Sequence, residues 1–380
     1  MEKKCDPSPP MRILFINFKK FWGGGEKMSL ALARGVRARG HDVRFLVRSD
    51  APLGERLESE GIPAVGVNYR NPLLLAAAFW KHGPYDIMVT QSDQEIRYAY
   101  YLALFSGTPI AVRLGVSARP GAGPWQRFLH RRTVRINFAN FKDGLEILAD
   151  AYGAALRHPV LLPNGVLPPP ALSADPRRAL GIPQDAVVVG MVGRLEERKG
   201  CRLLLSAFQN LSRRCPELHL LMVGEGGLRA ELERQTGDRI HVMGFMEAVG
   251  DVLRTLDILA LPVLWGEGTS NAVLEAMSLG RPVVVSDDGG MRDVVVDGQT
   301  GLVVEKGSQS ALEKALKRLI EDADLRRRLG RSGQKWVGQH HSMQAMVDTF
   351  LYWTQKATTC RGLPNDANRT EDIRNRYHEK

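Results

Sequence analysis

Short apolar runs alternate with helical stretches almost from one end of this 380-residue chain to the other. That alternation admits few architectures, because strands separated by helices pair in parallel and need helices on the faces of their sheet. In the first half, strands are expected at residues 12–17, 42–47, 63–67, 86–89, 110–113 and 160–162. The second half repeats the pattern at 186–193, 218–223, 240–243, 257–261 and 282–286. The chain is too long for one ordinary core and suits two doubly wound domains of roughly 150 to 190 residues each. Their boundary is expected in Pro163-Asn164-Gly165-Val166-Leu167-Pro168-Pro169-Pro170, where turn residues and prolines exclude regular structure. Residues 309–356 read as helical, with Met343, Met346, Val347, Phe350, Leu351 and Tyr352 ending the pattern on one stripe. The expected organisation is a disordered tail over 1–10, one α/β domain over 11–165, a second over 171–340, a helix over 341–356, and a polar disordered tail over 357–380.

The charge is uneven. Residues 1–165 carry 23 Lys and Arg against 14 Asp and Glu, a net +9 of the +10 on the whole chain. Such asymmetry points to an anionic partner such as membrane lipid, acidic glycan or nucleic acid. Its densest part runs from Gly123 to Arg135, where Trp125, Phe128 and Leu129 can share one helical face and Arg127, Arg131 and Arg135 another. That arrangement suits a helix lying on an anionic membrane surface, and equally a solvated basic helix with one buried face. No apolar run reaches the roughly 18 residues that span a bilayer, and the first ten residues have no apolar signal core. The expected location is the cytoplasm, peripheral on the inner face of the cell membrane. Cys5, Cys201, Cys215 and Cys360 form no paired motif, so idle thiols are expected.

Candidate chemistry collects where expected strands end. After strand 257–261 comes Trp265-Gly266-Glu267-Gly268-Thr269-Ser270-Asn271, then a helix over 272–279 that carries Glu275. A helix N-terminus offers unpaired N–H groups and a positive dipole end to a phosphate, while carboxylates accept hydrogen bonds from sugar hydroxyls. Read alone, Glu267 and Glu275 are equally well a solvated loop acid and an exposed helix acid. Strand 186–193 runs into Arg194-Leu195-Glu196-Glu197-Arg198-Lys199-Gly200, where Arg194 and Lys199 can grip a diphosphate as one planar fork and one point charge. In the first half, Gly23-Gly24-Gly25-Glu26 opens a helix directly after the first strand, without the G-x-G-x-x-G spacing of dinucleotide binders. Asp287-Asp288 and His340-His341 read as loop and helix surface, and no metal site is indicated.

Taken in order, these segments resemble the retaining glycosyltransferases of family 4, over roughly residues 11–356. The likeness rests on Gly23-Gly24-Gly25-Glu26, Gly40-His41-Asp42, Pro163-Asn164-Gly165-Val166, Gly193-Arg194-Leu195 with Lys199-Gly200, and Val223-Gly224-Glu225-Gly226. It continues through the Glu267 to Glu275 motif, Gly289-Gly290, Asp297-Gly298 and Thr300-Gly301. The resemblance implies the GT-B fold: two Rossmann-like domains facing a central cleft, with the C-terminal helix returning to the first. It implies transfer of a sugar from a UDP-, GDP- or ADP-sugar, with no cofactor and no nucleic acid, and the charge asymmetry adds the expectation of an envelope-glycan or lipid-linked acceptor. By the same resemblance Arg194 and Lys199 bind the donor diphosphate, Glu275 the ribose and Glu267 the sugar. Amides of Gly268, Thr269, Ser270 and Asn271 contact phosphate, and Gly24 and Gly25 close over it. The catalytic set is then Glu267, Arg194 and Lys199. The family's usual His after an N-terminal strand is absent from Ile110-Ala111-Val112-Arg113-Leu114-Gly115, which leaves Arg113 as the nearest polar candidate. Pro262-Val263 and Asp293 also depart from the family pattern. Two other readings compete: a non-hydrolysing nucleotide-sugar epimerase, and a basic membrane or nucleic-acid binding protein without catalysis.

Overall fold

The computed structural model describes residues 9–115, 120–121, 123–169, 176–247 and 249–359, so of the tails expected over 1–10 and 357–380, residues 1–8 and 360–380 lie outside the described residues. Residues 357–359, expected in the tail, continue a helix. The chain divides into two compact units, Met1–Pro163 with Met343–Lys380, and Asn164–Ser342.

The first unit holds seven strands and the helices between them. They are β1 (Arg12–Asn17), α1 (Gly24–Ala38), β2 (Asp42–Arg48), α2 (Pro52–Ser59), β3 (Ala64–Val67), α3 (Pro72–His82), β4 (Ile87–Thr90), α4 (Asp93–Ser106), β5 (Ile110–Leu114), α5 (Pro124–Thr133), β6 (Val134–Ala139), α6 (Lys142–Tyr152) and β7 (Pro159–Leu161). All pair in parallel, in the order β3-β2-β1-β4-β5-β6-β7. The second unit holds α7 (Pro176–Ala179), β8 (Val187–Val192), α8 (Cys201–Ser212), β9 (Leu218–Val223), α9 (Arg229–Glu233), β10 (Ile240–Met243) and α10 (Val249–Thr255). It continues with β11 (Ile258–Leu261), α11 (Asn271–Ser278), β12 (Val283–Ser286), α12 (Met291–Val294), β13 (Leu302–Val304), α13 (Gln309–Glu321) and α14 (Ala323–His340). Its sheet is also parallel, in the order β10-β9-β8-β11-β12-β13. Both are doubly wound sheets, as the alternation of the sequence requires.

Two strands differ from expectation. β6 was not expected, and its first two residues, Val134 and Arg135, were read as the end of a basic helix, but α5 passes into it at Thr133 and Val134 with no turn residue between them. Arg135 therefore stands on a strand, and Leu129, expected beside Trp125 and Phe128, is buried. β13 is only three residues long, too short for its pattern to register. The helical stretch after 309 is three helices. Asp322 starts the second by accepting the Leu325 N–H at 2.8 Å, and the chain breaks again at Ser342 before α15 (Met343–Thr359).

α15 belongs to the first unit. Phe350, fully buried, lies with ring centroids 6.1 Å from Phe15 and 5.6 Å from Phe138, and Phe15 stacks on Phe45 at 5.0 Å. These rings join Met343, Met346 and Val347 in the core between the sheet and α1. Cys201 and Cys215 are free thiols, while Cys5 and Cys360 lie outside the described residues. Among the described residues no helix is long and apolar enough to cross a membrane. Phe350→Ala should cost about 3–5 kcal/mol of stability, as truncated core aromatics do. Urea unfolding of the purified variant measures it, and a loss under about 1 kcal/mol would mean that this ring is not part of the core.

Candidate functional site

In the second unit the strand order reverses between β8 and β11, which pair directly. Loops leaving the carboxyl ends of two strands on either side of such a reversal diverge and open a crevice, where ligands of open α/β sheets bind. The segment from Arg194 to Lys199 leaves β8 there, and the segment from Pro262 to Ser270 leaves β11.

These two loops and the one after β12 are tied backbone to backbone. At Gly200, with φ +74°, a Cβ would lie 2.0 Å from the Pro262 carbonyl oxygen. At Gly289, with φ +50°, a Cβ would lie 1.9 Å from that of Glu267. Leu264 N–H donates to the Arg198 carbonyl at 2.8 Å. Only glycine fits at these two positions, for want of both space and a compatible φ.

Held between these loops is a buried ion pair. Lys199 Nζ lies 2.6 Å from Glu267 Oε2, and the two residues are 7% and 9% exposed. Arg198 NH1 bonds the same oxygen at 3.0 Å. Among the described residues no side chain or backbone group bonds Glu267 Oε1. Glu267 is thus no solvated loop acid, and Glu275, on the second turn of α11, is buried as well. With Oε2 taken by two cations, the other carboxyl oxygen can accept from a hydroxyl donor.

Arg194 is not part of that pair. Its side chain is 63% exposed and bonds Glu196, which also accepts from Arg198 at 3.1 Å. Burial pushes the Glu196 pKa up, but its bonds to Arg194 and Arg198 outweigh this and hold the carboxyl below the usual range. Arg198, the second cation on Glu267, was not singled out in the sequence. Its position next to Lys199 was the available signal.

Beyond Glu267, Gly268, Thr269 and Ser270 are buried, and Ser270 is the extended residue before α11. The N–H groups of the first turn that follows have no intrahelical acceptor and present the positive end of the helix. Asn271 Oδ1 accepts from Asn164 Nδ2 at 2.9 Å, so the Asn164–Val166 segment is fastened to the start of α11. His341, expected at a helix surface, is buried and bonds the Asn164 carbonyl at 3.1 Å. Burial pushes its pKa down. Asp288, expected as loop surface, is also structural: it accepts the Glu267 N–H at 3.3 Å and Lys306 Nζ at 2.9 Å. Among the described residues no group of His, Cys, Asp and Glu is arranged to hold a metal ion.

The first unit has its own polar cluster where β1, β4 and β5 end. Gly24 and Gly25 open α1, and a Cβ at Gly25 would meet no atom within 4 Å, so packing does not require glycine there. Glu26 is buried, and its carboxyl is pushed up by burial while the Asn17 side chain bonds it. Glu95 is fully buried and accepts the N–H groups of Phe18, Gln91 and Ser92 at 3.1, 2.8 and 2.8 Å. Arg113 lies inside the cluster, its NH1 3.4 Å from Gln91 Oε1, with its pKa pushed down by burial to about 10.

Two family models match the chain. The Glycosyl transferase 4-like domain matches residues 23–142, and Glycosyl transferases group 1 matches residues 174–336. The phosphatidyl-myo-inositol mannosyltransferase of Mycobacterium leprae (strain TN) is 28% identical over 345 residues, which is 84% of this chain and 89% of that protein. The lipopolysaccharide core biosynthesis glycosyltransferase LpsE of Rhizobium meliloti (strain 1021) is 29% identical over 180 residues, 46% of this chain and 52% of that one. Among solved structures, Anabaena Alr3699/HepE in complex with UDP-glucose superposes with a TM-score of 0.77 at 21% identity, covering 90% of this chain and 99% of that chain.

Because Gly289 touches the Glu267 carbonyl, Gly289→Ala should displace the loop that carries Glu267. The expected result is a loss of about 1–3 kcal/mol in urea unfolding, the usual cost of a strained non-glycine residue. An unchanged unfolding midpoint would refute the close approach.

Proposed function

The chain belongs to the group 1 glycosyltransferases of the GT-B fold, enzymes that use nucleotide sugars, and we propose that it moves a sugar with retained anomeric configuration onto a lipid-linked or envelope-glycan acceptor. The observation that carries this reading is the buried Lys199–Glu267 pair at the reversal point of the second sheet, beside the N-terminus of α11.

Lys199 Nζ has three N–H donors, so its bond to Glu267 leaves two for phosphoryl oxygens. Lys199 and the exposed Arg194 are assigned to the donor diphosphate, with the amides of Gly268 to Asn271 adding neutral donors. Glu275 is assigned to the ribose, and Glu267, through its second oxygen, to a sugar hydroxyl near the anomeric carbon. Arg198 joins this set by holding Glu267 in place. The open turn at Gly24 and Gly25 is assigned a phosphate contact. Arg113 is assigned to positioning Gln91 rather than to the sugar.

In the proposed step the bond from the anomeric carbon to the β-phosphate oxygen breaks as the acceptor oxygen attacks the same face. The acceptor proton passes to the departing diphosphate. Charge grows on that diphosphate, so cations fixed beforehand around it supply the main catalytic stabilisation.

Two of the relatives support an acceptor from the cell envelope: one is a phosphatidyl-myo-inositol mannosyltransferase and another a glycosyltransferase of lipopolysaccharide core biosynthesis. The net charge of +9 on residues 1–165 favours an anionic surface, so the site of action is proposed to be the inner face of the cell membrane. The complex of a structural relative with UDP-glucose puts UDP-sugars first among donors, ahead of GDP- and ADP-sugars.

Calorimetry with the three nucleotide diphosphates and their sugars tests the donor; binding of none of them would remove the proposed site. Lys199→Ala and Arg194→Ala should each slow transfer by more than about tenfold, or about 1.4 kcal/mol in the transition state, with circular dichroism unchanged. Turnover near wild type in both would take the diphosphate away from this loop. Glu275→Gln should weaken binding of the nucleoside diphosphate, whereas Glu267→Gln should spare it and reduce turnover. Equal affinity losses would contradict the separate roles.

A further inference from the structure

The helices on one face of the first sheet carry an unusual outer surface. α3 reads Pro-Leu-Leu-Leu-Ala-Ala-Ala-Phe-Trp-Lys-His, apolar over nine of its eleven residues, yet of these residues only Leu75 and Phe79 are buried. A helix that is apolar all round belongs inside a protein or a membrane. This one lies outermost, and eleven residues make about 16 Å, roughly half the thickness of a bilayer core. Leu73 is 79% exposed, and Leu74 and Trp80 are exposed with it.

The neighbouring helices extend the same surface. α4 exposes Tyr101, Leu104 and Phe105, the last by 78%, and α5 exposes Trp125 and Phe128, stacked with centroids 5.3 Å apart. Between α3 and α4 runs a groove of 740 Å³, walled by Trp80, Tyr98, Tyr101, Leu102 and Phe105, with Arg97 at its side. The opposite face of the same sheet lacks this character: α1, α2 and α15 expose one large apolar side chain, Tyr352, beside acids such as Glu55 and Glu58.

The charge of these three helices is also one-sided. Lys81, Arg97, Arg127, Arg131 and Arg132 lie on α3, α4 and α5, which carry two acids. Of those, Glu95 is fully buried beneath three backbone N–H groups and Asp93 accepts the Gly121 N–H at 2.9 Å. A second copy of the chain related by two-fold symmetry would bring these cations against each other. An anionic bilayer complements both features: its headgroups face the cations, and its acyl boundary takes Leu, Phe and the amphipathic rings of Trp and Tyr.

We propose that the α3–α4–α5 face of the first unit docks on an anionic lipid bilayer, with Leu73, Leu74, Trp80 and Phe105 entering the acyl boundary and Arg97, Arg131 and Arg132 meeting the headgroups. The site differs from the basic helix read in the sequence, since α3 and α4 supply the insertion and Arg135 takes no part. It deepens the lipid-linked acceptor reading and rests on it.

The full chain is floated with phosphatidylglycerol–phosphatidylethanolamine vesicles and with phosphatidylcholine vesicles, with neither donor nor acceptor present. Flotation is expected with the anionic vesicles only. Leu73→Gln, Leu74→Gln and Phe105→Ser combined should reduce it roughly tenfold, because apolar insertion and charge act together. Arg97→Glu, Arg131→Glu and Arg132→Glu combined, or high salt, should reduce it as well. Urea midpoint and nucleotide binding should stay at wild-type values in both variants. Absence of flotation with either vesicle, equal flotation of the apolar variant, or a wild-type dimer that this variant dissociates in light scattering would each overturn the proposal. Because vesicle binding is read without turnover, a wrong acceptor class leaves flotation intact, and failed flotation leaves the effects of Lys199 and Glu275 variants untouched.

Discussion

Parallel pairing of strands is the constraint on which everything else in this molecule depends. Two parallel strands cannot be joined by a tight turn, so each connection must travel back along the outside, and a helix is the compact way to do so. Helices then cover both faces, and the loops at the carboxyl ends of the strands gather along one edge. Where the winding direction reverses, between β8 and β11, the connections leave toward opposite faces of the sheet, the place where ligands of open α/β sheets bind. A crevice at that edge needs no special residue to exist; residues are needed only to line it.

The lining is costly in a way that explains its detail. A lysine and a glutamate almost out of contact with water lose their hydration, and their attraction offsets that loss only with good geometry and further bonds. Lys199 and Glu267 are 2.6 Å apart, Arg198 adds a second cation, and Asp288 fixes the Glu267 backbone from a third loop. Gly200 and Gly289 let the three loops lie backbone against backbone. A site organised in this way before a ligand arrives spends little on reorganisation when one does.

Strands buried on both faces write themselves into a sequence as unbroken apolar runs, and β9 and β11 were legible for that reason. β6 was not, because Arg135 and Asn137 interrupt its run and α5 enters it without a turn. Around the crevice, the positions of Lys199 and Glu267 at strand ends could be read, but not their contact. The direction of a side chain in the one-turn segment Glu197–Lys199 depends on backbone angles there, which is why Arg198 rather than Arg194 meets Glu267. Burial was equally hidden: nothing local distinguishes the enclosed His341 from its exposed neighbour His340. The apolar surface of α3 left a plain trace in Leu73-Leu74-Leu75-Ala76-Ala77-Ala78-Phe79-Trp80, which is too apolar for a helix with a wet side.

That α15 packs in the first unit also gives the chain a history during synthesis. Phe15 and Phe138 leave the ribosome early, but Phe350, the ring that covers them, follows only after the whole second unit has been made. At about 5–20 residues per second that interval is on the order of ten to forty seconds. Throughout it the first sheet presents an uncovered aromatic face, open to chaperones or to other nascent chains. A product cut short near residue 340 would keep that face for good, so quality control can tell finished molecules from unfinished ones by a single exposed surface.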